Sequence, residues 1–188
     1  SETPHATDIW RGFLRDVEPR LPAGKWMLFD LSDTVTREAA ALTEALDVVR
    51  RFGGRHRVVM SLNENEYRDV CRVLALPADD PEHAARALCD RLSLRALYLH
   101  FMGVGHGMSE GRFMSLPTVN IESPVLTTGA GDNFNAGVIA GLLAGLPLEE
   151  GLRMGTMTAS FYVATGRSPT LPELWQFMAE HVPSPAEA

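Results

Sequence analysis

The sequence predicts an α/β fold, a mostly parallel sheet with helices on both faces, from three observations. Short apolar runs of strand length, Lys25 to Leu31, Arg57 to Leu62 and Ala96 to Phe101, alternate with longer runs of helical spacing. Alternation of this kind argues for strand–helix–strand units whose sheet is covered on both sides. The 188 residues are 45% hydrophobic and 22% charged, the composition of an ordinary globular protein. That length suffices for one core burying roughly two thirds of the unfolded surface, so a single α/β domain over residues 1–188 is expected.

Each element has a local reason. Thr7 is the expected N-cap of a helix through Ile9, Trp10, Phe13, Leu14 and Val17, which Pro19 and Pro22 end. After the first strand, Ser32-Asp33 leads to a helix from about Thr36 to Phe52, closed by Gly53-Gly54. The second strand runs into Asn63-Glu64-Asn65-Glu66, a helix start whose helix reaches about Leu76. Pro77 to Pro81 breaks the chain before a helix from Glu82 to Leu92. Past the third strand lie Gly103, Gly105, Gly107 and Gly111, a hairpin-like alternation through Arg112 to Leu116, and short extended pieces at Val119 to Ile121 and Val125-Leu126. Helices over about 131–146, 148–165 and 171–181 complete the chain. In the first of these three, Gly137, Gly141 and Gly145 form one ridge, which predicts close packing against a neighbour.

Composition excludes several functions. A formal charge of −7 with no basic run argues against a nucleic-acid partner. Cys71 and Cys89 lie in predicted helices without CxxC spacing, which fits free thiols in a reducing compartment. No signal peptide is visible, so a cytoplasmic location is expected. The apolar run from Ala136 to Leu148 is too short to span a bilayer and is broken by Pro147, so no membrane is expected as a partner.

The stretch that carries chemistry is Thr127-Thr128-Gly129-Ala130-Gly131-Asp132-Asn133-Phe134-Asn135-Ala136-Gly137. It reads as a strand end, a glycine turn and a helix start. Amides at a helix start lack carbonyl partners and the helix dipole adds positive charge there, so the turn can hold a phosphate without lysine. A carboxylate accepts protons well and cradles phosphates badly, so Asp132 beside such an anion suggests a general base for the attacking group. Asp is also a favoured N-cap, and that bland role stands beside the functional one. Two familiar phosphate motifs fail on spacing. A dinucleotide fingerprint needs glycine where Phe134 stands, and a P-loop needs a Gly-Lys pair, whereas Lys25 is the only lysine in the chain.

Thr127 to Gly137 resembles the C-terminal signature of the ribokinase-like (PfkB) carbohydrate kinases over eleven positions. The resemblance implies a three-layer Rossmann-like ribokinase fold with its N-terminal part and lid missing. It implies transfer of the γ-phosphoryl group of ATP to a hydroxyl of a sugar or sugar-like substrate. Asp132 is then the catalytic base and Gly129, Ala130 and Gly131 form the anion hole, with Thr128 and Asn135 among the nucleotide-binding positions. Asn63 to Glu66 matches the family's Asn-x-x-Glu element, which implies roles in nucleotide and Mg²⁺ binding for Asn63 and Glu66, with Glu66 as the metal residue. Helix capping explains the same residues. Met154 to Pro169 resembles the family's C-terminal helix and loop, placing Gly166 and Ser168 near the nucleotide.

Several positions depart from the family pattern. Asp33 and Arg37 match a strand-end element in which Thr34 replaces the usual proline, and N-capping is the alternative for Asp33. His100 to Gly105 stands where many relatives have Thr-x-Gly-x-x-Gly. His100 and His106 have no third ligand at metal spacing, which favours polar residues near a nucleotide edge over a zinc site. Leu126 replaces an aspartate that helps bind potassium in many relatives, which argues against K⁺ activation. Relatives often form homodimers through the lid. Two other readings remain: a non-catalytic nucleotide-binding relative with a regulatory or assembly role, and a plain α/β interaction module.

Overall fold

A computed structural model of the chain describes residues 5–31 and 38–181. They fall into two compact units, Ser1–Leu99 with Gly107–Phe113, and His100–His106 with Met114–Ala188. Asp33, Thr34 and Arg37 lie outside the described residues.

Five strands form one sheet in chain order: β1 (Trp26–Asp30), β2 (Arg57–Asn63), β3 (Ala96–Phe101), β4 (Val104–Ser109) and β5 (Arg112–Pro117). β1 and β2 run parallel with Trp26 opposite Arg57, and α2 (Ala39–Phe52) is the crossover between them. Only two residues, Met102 and Gly103, join β3 to β4, and only Glu110 and Gly111 join β4 to β5. Connections that short require antiparallel neighbours, and the left-handed φ of 49° at Glu110 and 74° at Gly111 suits a tight hairpin turn. The sheet is therefore mixed, parallel at β1–β2 and antiparallel across β3–β4–β5.

In the first unit, α1 (His5–Asp16), α3 (Glu64–Val73) and α4 (Pro81–Leu92) accompany α2. Val58, Val59, Met60 and Leu62 of β2 are completely buried. A strand with no solvent-facing side is covered on both faces, as its unbroken apolar run predicts. Phe29 packs between Trp10 and Phe52, with ring centroids 5.2 and 5.1 Å away, so α1 and α2 share one aromatic cluster with β1. Thr7, the expected cap of the first helix, sits inside α1 and is buried, because the helix begins at His5.

The second unit holds α5 (Ala130–Leu143), α6 (Leu148–Thr165) and α7 (Leu171–His181). The expected glycine ridge is real at two of its three positions. A Cβ at Gly137 would lie 2.5 Å from the Met154 carbonyl oxygen, and one at Gly141 would lie 3.3 Å from the Gly151 Cα. Gly155 of α6 answers in kind, since a Cβ there would meet Val138 at 2.8 Å. Glycines on both helices thus let α5 and α6 approach backbone to backbone. Gly145 does not belong to the ridge; it lies beyond α5 with φ of 71° and open space around it. Met154, Met157 and Leu174 form a buried cluster backed by Phe177 and Met178, which docks α7 on α6.

Val119 to Ile121 and Val125-Leu126, expected as extended pieces, join no strand. The amide of Val125 instead donates to the Val163 carbonyl at 2.8 Å. That carbonyl lies in the last turn of α6 and has no acceptor role left inside the helix.

Candidate active site

The glycine turn is shaped by one residue that only glycine fits well. Gly129 is the N-cap of α5 with φ 92° and ψ 2°, in the left-handed region, and a Cβ there would lie 3.0 Å from the Tyr162 hydroxyl. The amide of Ala130 donates to the Thr127 carbonyl at 3.1 Å, closing a tight turn, and the amide of Asn133 donates to the Gly129 carbonyl at 3.1 Å, starting the helix. Of the three amides expected to receive an anion, that of Ala130 is therefore engaged. Among the described residues the amides of Gly129, Gly131 and Asp132 have no acceptor, which leaves three donors at the positive end of the helix dipole.

Asp132 occupies the first turn of α5 and is exposed. Among the described residues its carboxylate makes no hydrogen bond or ion pair. It does not cap its own helix, because the cap position belongs to Gly129 and no side chain fills it. A bare carboxylate beside unpaired amides can accept a proton from a group attacking an anion held at those amides.

The turn rests on residues from three other segments of the same unit. Tyr162 of α6 donates its hydroxyl to the Thr128 carbonyl at 2.9 Å. The side-chain amide of Asn133 donates to the Gly129 carbonyl at 3.0 Å, and Ser168 donates its hydroxyl to the Asn133 side-chain carbonyl at 2.7 Å. Gly166 is the left-handed C-cap of α6, φ 73°, with its amide on the Tyr162 carbonyl at 2.7 Å. Beneath the turn lies His100. A Cβ on Gly131 would meet its Cε1 at 3.1 Å, and its ring sits 5.0 Å from that of Phe134. Burial pushes this imidazole down to about 4, and its Nε2 is buried without a partner among the described residues. His100 is therefore neutral at pH 7.

Asn63 and Glu66 belong to the other unit, where the structure gives them a capping role. The Asn63 side chain accepts the Glu66 amide at 3.0 Å, and the Glu66 carboxylate accepts the Asn63 amide at 2.9 Å, a reciprocal capping box at the start of α3. Glu66 is only 3% exposed. A carboxylate so placed does not fit direct ligation of Mg²⁺, which wants several accessible oxygens in octahedral array. Among the described residues no cluster of three His, Cys, Asp or Glu side chains could hold a metal ion. His106 is bound to the Ser115 hydroxyl at 2.7 Å and stacks edge-on against Phe101.

The family model for prokaryotic ketohexokinase matches residues 1–181. The chain belongs to the prokaryotic ketohexokinase family. It is 29% identical over 183 residues to a ketohexokinase of Haloferax volcanii, covering 97% of this chain and 49% of that protein. The fold is that of ribokinase from Thermotoga maritima, with a TM-score of 0.63 and 20% identity over 81% of this chain and 48% of that one. A ribokinase II assignment from Escherichia coli, solved with ATP and Mg²⁺, gives a TM-score of 0.61 and 19% identity, covering 81% of this chain and 48% of that one. The chain thus spans about half the length of these relatives.

In the structure Thr128, Gly129, Ala130, Gly131 and Asp132 form the turn and first residues of α5, Ser168 reaches it through Asn133, and Gly166 ends the helix that carries Tyr162. Asn135 lies one turn further in and is buried. Tyr162 and Asn133 are the residues that sequence reasoning missed. Asn133 had a readable signal, a polar side chain four residues after Gly129 in a helix that is apolar beyond Asn135. Tyr162 had none, since its partner is 34 residues away.

Proposed function

We propose that this chain is the nucleotide-binding and phosphoryl-transfer part of an ATP-dependent sugar kinase, corresponding to the C-terminal part of such an enzyme. Its acceptor is a hydroxyl of a sugar, with ketohexoses favoured by the family match. The observation that carries this reading is the exposed, unpartnered carboxylate of Asp132 beside the acceptor-free amides of Gly129, Gly131 and Asp132. Asp132 takes the proton from the attacking hydroxyl. The amides and the α5 dipole stabilise charge on the phosphoryl oxygens as transfer proceeds.

Mg²⁺, bound with ATP, supplies charge neutralisation on the phosphates. Asn63 and Glu66, whose side chains cap α3, would meet an Mg²⁺ ion only through water. Thr128 and the Gly166–Ser168 loop border the nucleotide. Leu126, 40% exposed where an aspartate that helps bind potassium is usual among relatives, gives no side-chain oxygen for K⁺, so turnover is expected to be the same in K⁺ and Na⁺. No described helix is long and apolar enough to cross a membrane.

The capping role of Glu66 favours a second reading, a nucleotide-binding relative without turnover. Assay of the complete gene product with ATP, Mg²⁺ and a panel of ketohexoses and aldoses separates the two. ADP release matched by a phosphorylated sugar supports the kinase. ATP binding with no ADP release from any sugar sinks it and leaves the second reading.

A further inference from the structure

The Gly129 amide belongs to a residue whose backbone is free to turn. A glycine at φ 92° has no Cβ to hold its peptide planes, so a turn built on it needs restraint from elsewhere. The peptide linking Thr128 to Gly129 has one such restraint, the Tyr162 hydroxyl on the Thr128 carbonyl at 2.9 Å. A trans peptide is planar, with its C=O and N–H antiparallel. Holding the carbonyl toward Tyr162 therefore aims the Gly129 N–H the opposite way, out of the turn and away from α6.

The hydroxyl that does this is itself well anchored. Tyr162 stands in the last turn of α6, its own carbonyl bound by the Gly166 amide at 2.7 Å. The next residue, Val163, accepts the Val125 amide at 2.8 Å, and a Cβ on Gly166 would touch Val125 at 3.0 Å. The segment entering the turn and the end of α6 are thus fastened side by side. The following peptide, Gly129 to Ala130, is held separately, because both nitrogens of Asn133 bond the Gly129 carbonyl, at 3.1 and 3.0 Å. Two neighbouring peptide planes have two different holders, and only the first sets the direction of the Gly129 donor.

We propose that Tyr162 is a positioning residue for phosphoryl transfer, its hydroxyl fixing the Thr128 carbonyl so that the Gly129 N–H is presented to the transferred group. The proposal rests on the phosphoryl-transfer reading above and deepens it. Tyr162 touches no reacting atom; it acts through one peptide plane. Removing an oxyanion donor outright costs about 10²- to 10³-fold in turnover, and loosening a donor that remains costs less, about tenfold.

The test is Tyr162→Phe in the complete gene product, which keeps the ring and removes only the hydroxyl. Three quantities are read: kcat and KM for ATP, the melting temperature, and the amide resonance of Gly129 in ¹⁵N-labelled protein with and without inorganic phosphate. Expected are a kcat lower by about tenfold, a KM for ATP within about twofold, and a melting point within about 3 °C of wild type. The Gly129 resonance should move in the free variant and lose most of its response to phosphate. Wild-type kcat in the variant overturns the positioning role while leaving the kinase reading intact. If wild type itself shows no turnover, the kinase reading fails, and the Gly129 resonance decides the rest. A phosphate response present in wild type and lost in the variant then supports Tyr162 as the holder of the Gly129 donor toward a bound phosphate, whereas an equal response in both, or none in wild type, overturns that role.

Discussion

Ser168 donates its hydroxyl to the side-chain carbonyl of Asn133 at 2.7 Å, and Asn133 passes the restraint on by donating its side-chain amide to the Gly129 carbonyl at 3.0 Å. Two bonds in series join the loop behind α6 to the first turn of α5. That loop is held in turn by the Arg167–Glu173 ion pair and by Glu173 accepting the Thr170 amide at 2.8 Å.

Removing either member of this relay should weaken the unit unequally. Asn133 is 8% exposed and carries two side-chain bonds, so Asn133→Ala should cost about 1–3 kcal/mol. Ser168→Ala removes one bond and should cost about 1 kcal/mol. Because the bonds share a residue, the double variant should cost less than the sum of the two. Urea unfolding of the four proteins measures this, and strict additivity would show that the relay does not act as a unit.

Gly137→Ala should be severe for a helix glycine. The added methyl would lie 2.5 Å from the Met154 carbonyl and 2.6 Å from the Thr158 hydroxyl, so α5 and α6 must separate. Because the Met154 carbonyl is backbone that no rotamer change can move, the overpacking cost lies at the upper end of its usual range, about 3 kcal/mol, against a helix-propensity gain of at most about 1 kcal/mol. Gly145→Ala has open space and pays only for its positive φ, about 1 kcal/mol. Thermal melts of the two variants should therefore rank Gly137→Ala lower.

His100 predicts the shape of the acid limb. Its folded value of about 4 lies below the unfolded value of about 6.5, so between these limits the unfolded chain binds the extra proton. The stability linked to His100 is complete above about pH 6.5 and falls as pH drops toward 4, by at most about 3 kcal/mol. His100→Gln should flatten unfolding free energy over that window. A slope unchanged in the variant would place the proton elsewhere.

Much of the fold was legible because most elements announce themselves by period. The seven helices and strands β1, β2, β3 and β5 fall within a few residues of their apolar patterns. β4 did not, since Gly105, His106 and Gly107 interrupt the alternation that a strand normally shows, and the strand is fixed instead by hairpins on both sides. The glycine turn was readable from its residue types. Which of its amides stay open was not: Ala130 is removed from the set by the Thr127 carbonyl, and Asp132 is added to it, through backbone geometry that residue identity does not encode. At Asn63 and Glu66 the sequence offered both a capping box and a functional element, and the atoms show the capping box.

Asp132 is the residue on which the proposed chemistry depends, and its substitution by asparagine keeps shape while removing the proton acceptor. Steady-state turnover of Asp132→Asn in the complete gene product, with ATP, Mg²⁺ and the best sugar acceptor, should fall by about 10²- to 10⁴-fold while ATP still raises the melting temperature. Turnover equal to wild type would contradict a general-base role for that carboxylate.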